Sequence, residues 1–287
     1  MARRSLLTTL AGLAAVALAA TACAPQKKET GSGTAAPASC AKDQLRLVNK
    51  GRLTVATDKP AFEPWFKNND PSNGEGFESA VAYAVAGRLG FARNEVGWVT
   101  QPFDASYAPG PKNFDFDINQ ISVTPARQKA VTFSDGYYEV QQGAVTVNGS
   151  RYAGARSLAE LKDARIAVQV GTTALQAVRD QIKPTRQPKV FNSQIDTVNA
   201  LKNKQVDVLV LDLPSAFYVT AAQVDDSKII GQFASGSAAE HFGLLLQKDN
   251  PLVGCLNRAI GELKSAGELT RIQDKWLGAA AGAPVLK

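Results

Sequence analysis

An α/β fold is predicted from this chain by three features. Short apolar runs end in polar or glycine residues, stretches with helical spacing of apolar residues lie between them, and the two kinds alternate along the chain. Alternating β and α units form parallel sheets covered on both faces. No solenoid-type repeat competes with this reading.

Taken in order, residues 1–22 read as an export signal. Arg3 and Arg4 form a basic start, and an Ala/Leu-rich stretch from Leu6 to Ala22 runs into Cys23. The stretch is too short and too rich in small residues for a membrane-spanning helix. The residues before Cys23 resemble a bacterial lipobox, in which Cys23 becomes the acylated mature N-terminus. Ala20 stands where leucine is usual, and a plain secretory peptide is the alternative. The arginine pair fits Sec and twin-arginine export alike. Residues 23–40 then form a flexible tether: APQKKETGSGTAAPAS has no apolar period and is rich in Ala, Gly, Ser, Thr and Pro.

The folded part runs from about Cys40 to Lys287. RLTVATD (52–58) is a predicted strand, followed by the turn-rich PAFEPWFKNNDPSNGEG. GFESAVAYAVAGRLG places Phe77, Val81, Ala84, Val85 and Leu89 on one helical face. EVGWVTQ alternates as a strand. FDFDINQISV is another, and it leads into a helix start with Thr124 as N-cap and Pro125 in the first turn. Arg127 stands where a capping box would put Glu or Gln, so it adds a cation to the positive end of a helix dipole. Either it faces solvent, at a cost of about a few tenths of a kcal/mol, or an anion sits between it and the helix start.

SLAELKDARIAVQVGTTALQAVRDQI reads helix, strand, helix, with Ser157 and Glu160 at capping-box spacing. The segment from Ile195 to Tyr218 repeats that order: a helix, the strand VDVLVLD, then Leu213-Pro214 opening another helix.

Net charge is +6, of which Arg3 and Arg4 supply two. The charges are scattered, with no basic cluster interleaved with aromatics, which argues against a nucleic-acid surface. Apart from Cys23 the cysteines are Cys40 and Cys255. An even pair in an oxidising compartment suggests a bridge, worth roughly 5 kcal/mol for so long a loop, with two buried thiols as the alternative. The single histidine, His241, reads as structural. No G-x-S-x-G, histidine-pair metal motif or G-x-G-x-x-G after a strand is present, so neither catalysis nor a cofactor or metal is expected.

In open α/β sheets ligands collect at the carboxyl ends of strands. Those ends supply Asp58, the Ser122/Thr124/Arg127 segment, Gly171-Thr172-Thr173 and Asp212. Together they offer a cation, a hydroxyl-rich helix start and two carboxylates, a set complementary to a zwitterion.

RLTVATD, GFESAVAYAVAGRLG, ISVTPARQKAVTFSDGYY, IAVQVGTT and VDVLVLDLPSAFY, in that order, resemble the extracellular solute-binding proteins of family 3, the polar amino-acid receptors of ABC importers. The resemblance covers about residues 45–280, and T-x-x-R followed by F-S-x-x-Y-Y is its most specific element. It implies a two-lobed type II periplasmic-binding-protein fold, each lobe a mixed sheet flanked by helices, with two crossover strands and the ligand in the cleft. Lobe 1 would be residues 41–143 plus 240–287, and lobe 2 residues 144–239. Cys40 and Cys255 would then both lie in lobe 1, where a bridge leaves the hinge free.

By the same resemblance, Arg127 grips the ligand α-carboxylate with a fork that lysine lacks. The amide or hydroxyl of Ser122 meets the ligand, and the Gln120 carbonyl accepts from its ammonium. Thr172 and Thr173 form the second-lobe turn facing the carboxylate, and Asp212 receives the α-ammonium. Phe62 and Trp65 pack on the ligand side chain, Asp58 and Glu78 lie at its far end, and Gln169 varies with preference. Two departures stand out. FDASYAPGPKNFDFD, without helical period, replaces the usual helix and loop, and Glu63 and Asn119 occupy positions that are usually small or apolar.

The resulting expectation is a monomeric, extracytoplasmic binding lipoprotein, held on the outer face of the cell membrane by lipid on Cys23. It would deliver a polar, in one reading cationic, amino acid to the permease of an ABC importer. A tethered sensor signalling to a membrane partner and a dehydratase-like enzyme on the same fold are the alternatives.

Overall fold

The computed structural model describes residues 39–234, 236, 239–278 and 282–287. The predicted signal, Cys23 and most of the tether lie outside these residues. Two α/β lobes are present, each built on a five-stranded mixed sheet.

The first lobe begins with β1 (Leu53–Thr57), whose residues are all buried. A strand covered on both faces needs an unbroken apolar run, and LTVA comes close to one. It leads through the turn-rich segment to α1 (Phe77–Arg88) and then β2 (Val96–Thr100), parallel to β1. The next stretch differs from expectation. Phe103–Ser106 forms one helical turn, α2, where no helical period is visible in the sequence. The predicted strand FDFDINQISV shrinks to β3 (Phe116–Asp117) and an isolated bridge from Ser122 to Phe242. Gln120 takes a positive φ of 49° between them, which breaks the extended run. After α3 (Pro125–Gln128), β4 (Val131–Val140) completes the outgoing chain.

The second lobe contains β5 (Gln142–Val147), β6 (Ile166–Gln169), α4 (Thr173–Ala177), β7 (Lys189–Phe191), α5 (Gln194–Lys202), β8 (Val208–Asp212), α6 (Leu213–Tyr218) and β9 (Ser227–Phe233). Its sheet order is β7-β6-β8-β5-β9. Leu158–Leu161 is a 3-10 turn, and Ser157 makes no cap; its hydroxyl donates to Glu160 instead. The chain returns through β10 (Glu240–Gln247), which completes the first sheet in the order β2-β1-β3-β10-β4, and ends in α7 (Val253–Ser265) and α8 (Glu268–Leu277). Cys40 and Cys255 are joined by a disulfide, with Cα atoms 5.5 Å apart, beside the first-lobe core.

The boundaries expected from sequence need two changes. Gln142 and Gly143 already belong to β5 of the second sheet. Residues 282–287 do not stay with the first lobe either. Val285 bridges to Gln232 on the edge strand β9, Gln232 N donates to Pro284 O at 2.7 Å, and Leu286 N donates to Gln232 O at 2.9 Å. Leu286 is buried in the second-lobe core, and a Cβ on Gly231 would lie 2.6 Å from Pro284 O. A bare edge strand exposes unpaired backbone groups, and this tail covers part of one.

Candidate ligand-binding cleft

The ends of β1, β3, β6 and β8 meet at a cleft between the lobes. Asp58, Phe62, Phe103, Asn119, Gln120, Ser122 and Arg127 line it from the first lobe. Gln169, Thr172, Thr173, Ala174, Gln194, Thr197, Val210, Leu211 and Asp212 line it from the second. Of the strand-end residues singled out from sequence, Asp58, Ser122, Arg127, Thr172, Thr173 and Asp212 come together in this cleft, while Thr124 and Gly171 do not line it.

Arg127 is placed by its own helix start. Thr124 Oγ1 accepts from Arg127 N at 3.2 Å, closing the cap with Pro125 in the first turn. The guanidinium turns inward: Arg127 is 8% exposed, which rules out the solvent-facing alternative. Nη1 donates to Ser122 O at 2.7 Å, and Nη2 reaches across the cleft to Gly171 O at 2.9 Å. The same group lies over the rings of Tyr107, 4.6 Å from its centroid, and Phe103, at 5.5 Å. Stacking on two aromatic faces holds the guanidinium plane and stabilises its charge. Burial pulls the Arg127 pKa down, but a guanidinium stays protonated in proteins. Gly171 has φ +72°, and a Cβ there would sit 2.2 Å from the Tyr107 hydroxyl, so glycine alone permits this approach.

On the second lobe, Thr172 caps α4 by accepting from Leu175 N, while its hydroxyl donates to Gln169 O. Asp212 ends β8. Its Oδ1 accepts from Gln142 Nε2 at 3.0 Å. Burial, then the charge of Glu240, push its carboxyl up to about 8. Glu240 accepts from Ser122 Oγ, from Thr173 Oγ1 at 2.5 Å and from Gln142 Nε2 at 3.2 Å. Neither Glu240 nor Gln142 carries a motif. Both lie in the crossover segments, and position in the chain is the signal that could have found them.

At the other end, Asp58 accepts from Lys59 N and Phe103 N, and burial raises its pKa. Behind it Asp117 is fully buried and accepts from Ser106 Oγ at 2.5 Å, while its Oδ1 has no hydrogen bond. Burial, then the charges of Glu78 and Asp58, raise Asp117 to about 7. The Asn119 Nδ2 donor, on a residue that lines the cleft, also has no partner.

Two expected contacts fall elsewhere. Glu78 is fully buried and does not line the cleft. It accepts from Tyr137 Oη at 2.5 Å, from Gln120 N at 2.7 Å and from Gln120 Nε2, and so fixes the Gln120 turn from behind. Burial raises its carboxyl to about 7. Trp65 is likewise fully buried, with edge contacts to Phe77, Tyr138 and Phe242. Its indole Nε1 donates at 2.8 Å to Ser215 Oγ of the second lobe. The family resemblance places both beside the ligand side chain, but packing against the first-lobe core turns them inward. His241 packs its ring against Gly136, away from the cleft lining. Among the described residues no cluster of His, Cys, Asp or Glu could hold a metal ion, and no helix is long and apolar enough to cross a membrane.

Two α/β lobes that contribute donors and carboxylates to one shared cleft define a protein built to hold a small polar solute. The chain belongs to the bacterial extracellular solute-binding proteins, family 3, whose model matches residues 53–279. It is 27% identical to the probable histidine-binding protein of Neisseria gonorrhoeae, over 95% of this chain and 96% of that protein. It is 28% identical to the ABC transporter arginine-binding protein 1 of Escherichia coli, over 80% of this chain and 91% of the relative. Among solved structures, an ancestral arginine-binding protein bound to glutamine superposes with a TM-score of 0.68 at 31% identity, covering 80% of this chain and 99% of its own.

Proposed function

We propose that this chain is the extracytoplasmic receptor of an ABC importer, binding a polar L-amino acid between its lobes and closing on it. The carrying observation is the placement of Arg127 and Asp212 on opposite sides of one cleft, with the hydroxyls of Ser122 and Thr173 beside them. A guanidinium matches the ligand α-carboxylate and a carboxylate matches its ammonium. Because the two groups belong to different lobes, the closed form makes contacts that the open form cannot, and that differential affinity drives closure. A shift from 1:99 to 99:1 takes about 5.5 kcal/mol, within the roughly 8 kcal/mol of a micromolar ligand.

The side-chain end favours a cation. Asp58 lines it, Asp117 lies behind, and Phe62 and Phe103 supply aromatic faces. An arginine, lysine or histidine side chain complements both features. The names of relatives as histidine- and arginine-binding proteins support the same choice. Acylation of Cys23 would keep the receptor at the membrane beside its permease.

A thermal-shift screen of the unlipidated domain against the twenty amino acids and several polyamines tests the reading. A ligand at 100 times its Kd adds about 2.7 kcal/mol of stability, and the basic amino acids are expected to give the largest shifts. No shift with any amino acid refutes the assignment. Membrane partitioning of Cys23→Ser against wild type tests the anchor, and equal partitioning excludes it.

A further inference from the structure

Glu240 opens β10 where the chain re-enters the first lobe, and its carboxylate sits among groups that the proposed function assigns to the ligand. Oε1 accepts from Ser122 Oγ and, at 2.5 Å, from Thr173 Oγ1, while Oε2 accepts from Gln142 Nε2 at 3.2 Å. Ser122 belongs to the first lobe and Thr173 to the second, so one carboxylate oxygen joins the two sides of the cleft. A hydroxyl has a single proton to donate. Both protons are directed at Glu240, and neither can serve another carboxylate at the same time. Arg127 is engaged in the same layer, with Nη1 on Ser122 O and Nη2 on Gly171 O.

We propose that Glu240 is an internal competitor for the α-carboxylate seat. It latches the lobes together on itself, and ligand binding exchanges one carboxylate for another. This rests on the proposed function for the identity of the seat, though the latch itself does not. The latched protein is closed but cannot offer its hydroxyls to a ligand. The apparent affinity is therefore reduced by the fraction of molecules that are unlatched. Glu240 also faces Asp212 across the Gln142 amide, whose nitrogen donates to both, so two carboxyl groups crowd one side of the cleft until Glu240 leaves. A ligand bringing both an anion and a cation fits both ends of this arrangement: its carboxylate takes the hydroxyls, and its ammonium pairs with Asp212.

The test uses wild type, Glu240→Ala and Glu240→Gln, the glutamine keeping the shape should the alanine variant fold poorly. Calorimetric titration is run with L-arginine and with agmatine, which has the same side chain without the α-carboxylate. Expected is roughly tenfold tighter L-arginine binding by Glu240→Ala, a smaller gain for Glu240→Gln, and a gain for agmatine well below that for L-arginine. Agmatine profits from unlatching but has no carboxylate to take the freed hydroxyls. Equal or weaker L-arginine binding by both variants overturns the competition, as does an equal gain for agmatine. Where L-arginine binds, calorimetry decides. Should it bind none of the three proteins, arginine is not the ligand, and small-angle scattering in amino-acid-free buffer decides the latch. A larger radius of gyration for Glu240→Ala supports it, and superimposable profiles refute it.

Discussion

Trp65 of the first lobe donates its indole proton to Ser215 of the second at 2.8 Å, and both residues are almost fully buried. The bond exists only while the lobes are together. An unsatisfied buried donor costs about 1–3 kcal/mol, so Ser215→Ala moves the population towards the open form. Ligand affinity is expected to fall several-fold with little change in the unfolding temperature of the free protein. Affinity equal to wild type would show that the bond contributes nothing to closure.

Arg127 carries the largest expected binding effect. Arg127→Ala removes the cation facing the ligand carboxylate, with about 2–4 kcal/mol of binding lost. Arg127→Lys keeps the charge but not the planar fork or its stacking on Tyr107 and Phe103, and an intermediate loss is expected. Calorimetry on both variants tests this, and unchanged affinity in the alanine variant refutes the carboxylate assignment.

Asp212 predicts the pH dependence. Its carboxyl holds a proton up to about pH 8, because burial and then the charge of Glu240 disfavour ionisation. To pair with an ammonium it must give that proton up. Binding below this pH therefore releases a proton, and affinity rises as pH increases from roughly 6 to 8. Titrations in buffers of different ionisation enthalpy measure the release. Asp212→Asn abolishes it and weakens binding. Proton uptake by wild type would contradict the assignment.

The Cys40–Cys255 disulfide closes a separation of 215 residues within the first lobe. Reduction, or Cys40→Ser with Cys255→Ser, removes about 5 kcal/mol in the chain-entropy picture. The unfolding temperature should drop markedly while ligand affinity holds, because the bridge does not span the cleft. A loss of binding at temperatures where the reduced protein is still folded would argue against that separation.

The C-terminal tail makes a local prediction. Deleting residues 282–287 uncovers the Gln232 backbone groups and removes Leu286 from the second-lobe core. Burial of a leucine side chain is worth about 1.5–3 kcal/mol, and a lower unfolding temperature is expected, with faster amide exchange at Leu286-facing positions of β9. An unchanged melting curve would show that the tail adds no stability.

Much of the cleft was legible because its signals are local. Thr124, Pro125 and Arg127 follow from cap chemistry within one turn, and Asp58, Thr172 and Asp212 follow from the ends of apolar runs. Each depends on neighbours a few residues away, so a linear reading recovers it. Whether Arg127 faces water or the cleft was not settled that way. It depends on Tyr107 and Gly171, which meet across the lobes.

What the sequence by itself determined was the α/β alternation, the polar strand ends and the cysteine pair, since period, cap and composition are properties of short segments. Tertiary structure alone decided that Glu78 and Trp65 face the core, that Glu240 reaches Ser122 and Thr173, and that residues 282–287 cross to β9. Those contacts join segments far apart in the chain. Their energy comes from burial and from donors meeting acceptors in space, which no window of consecutive residues contains.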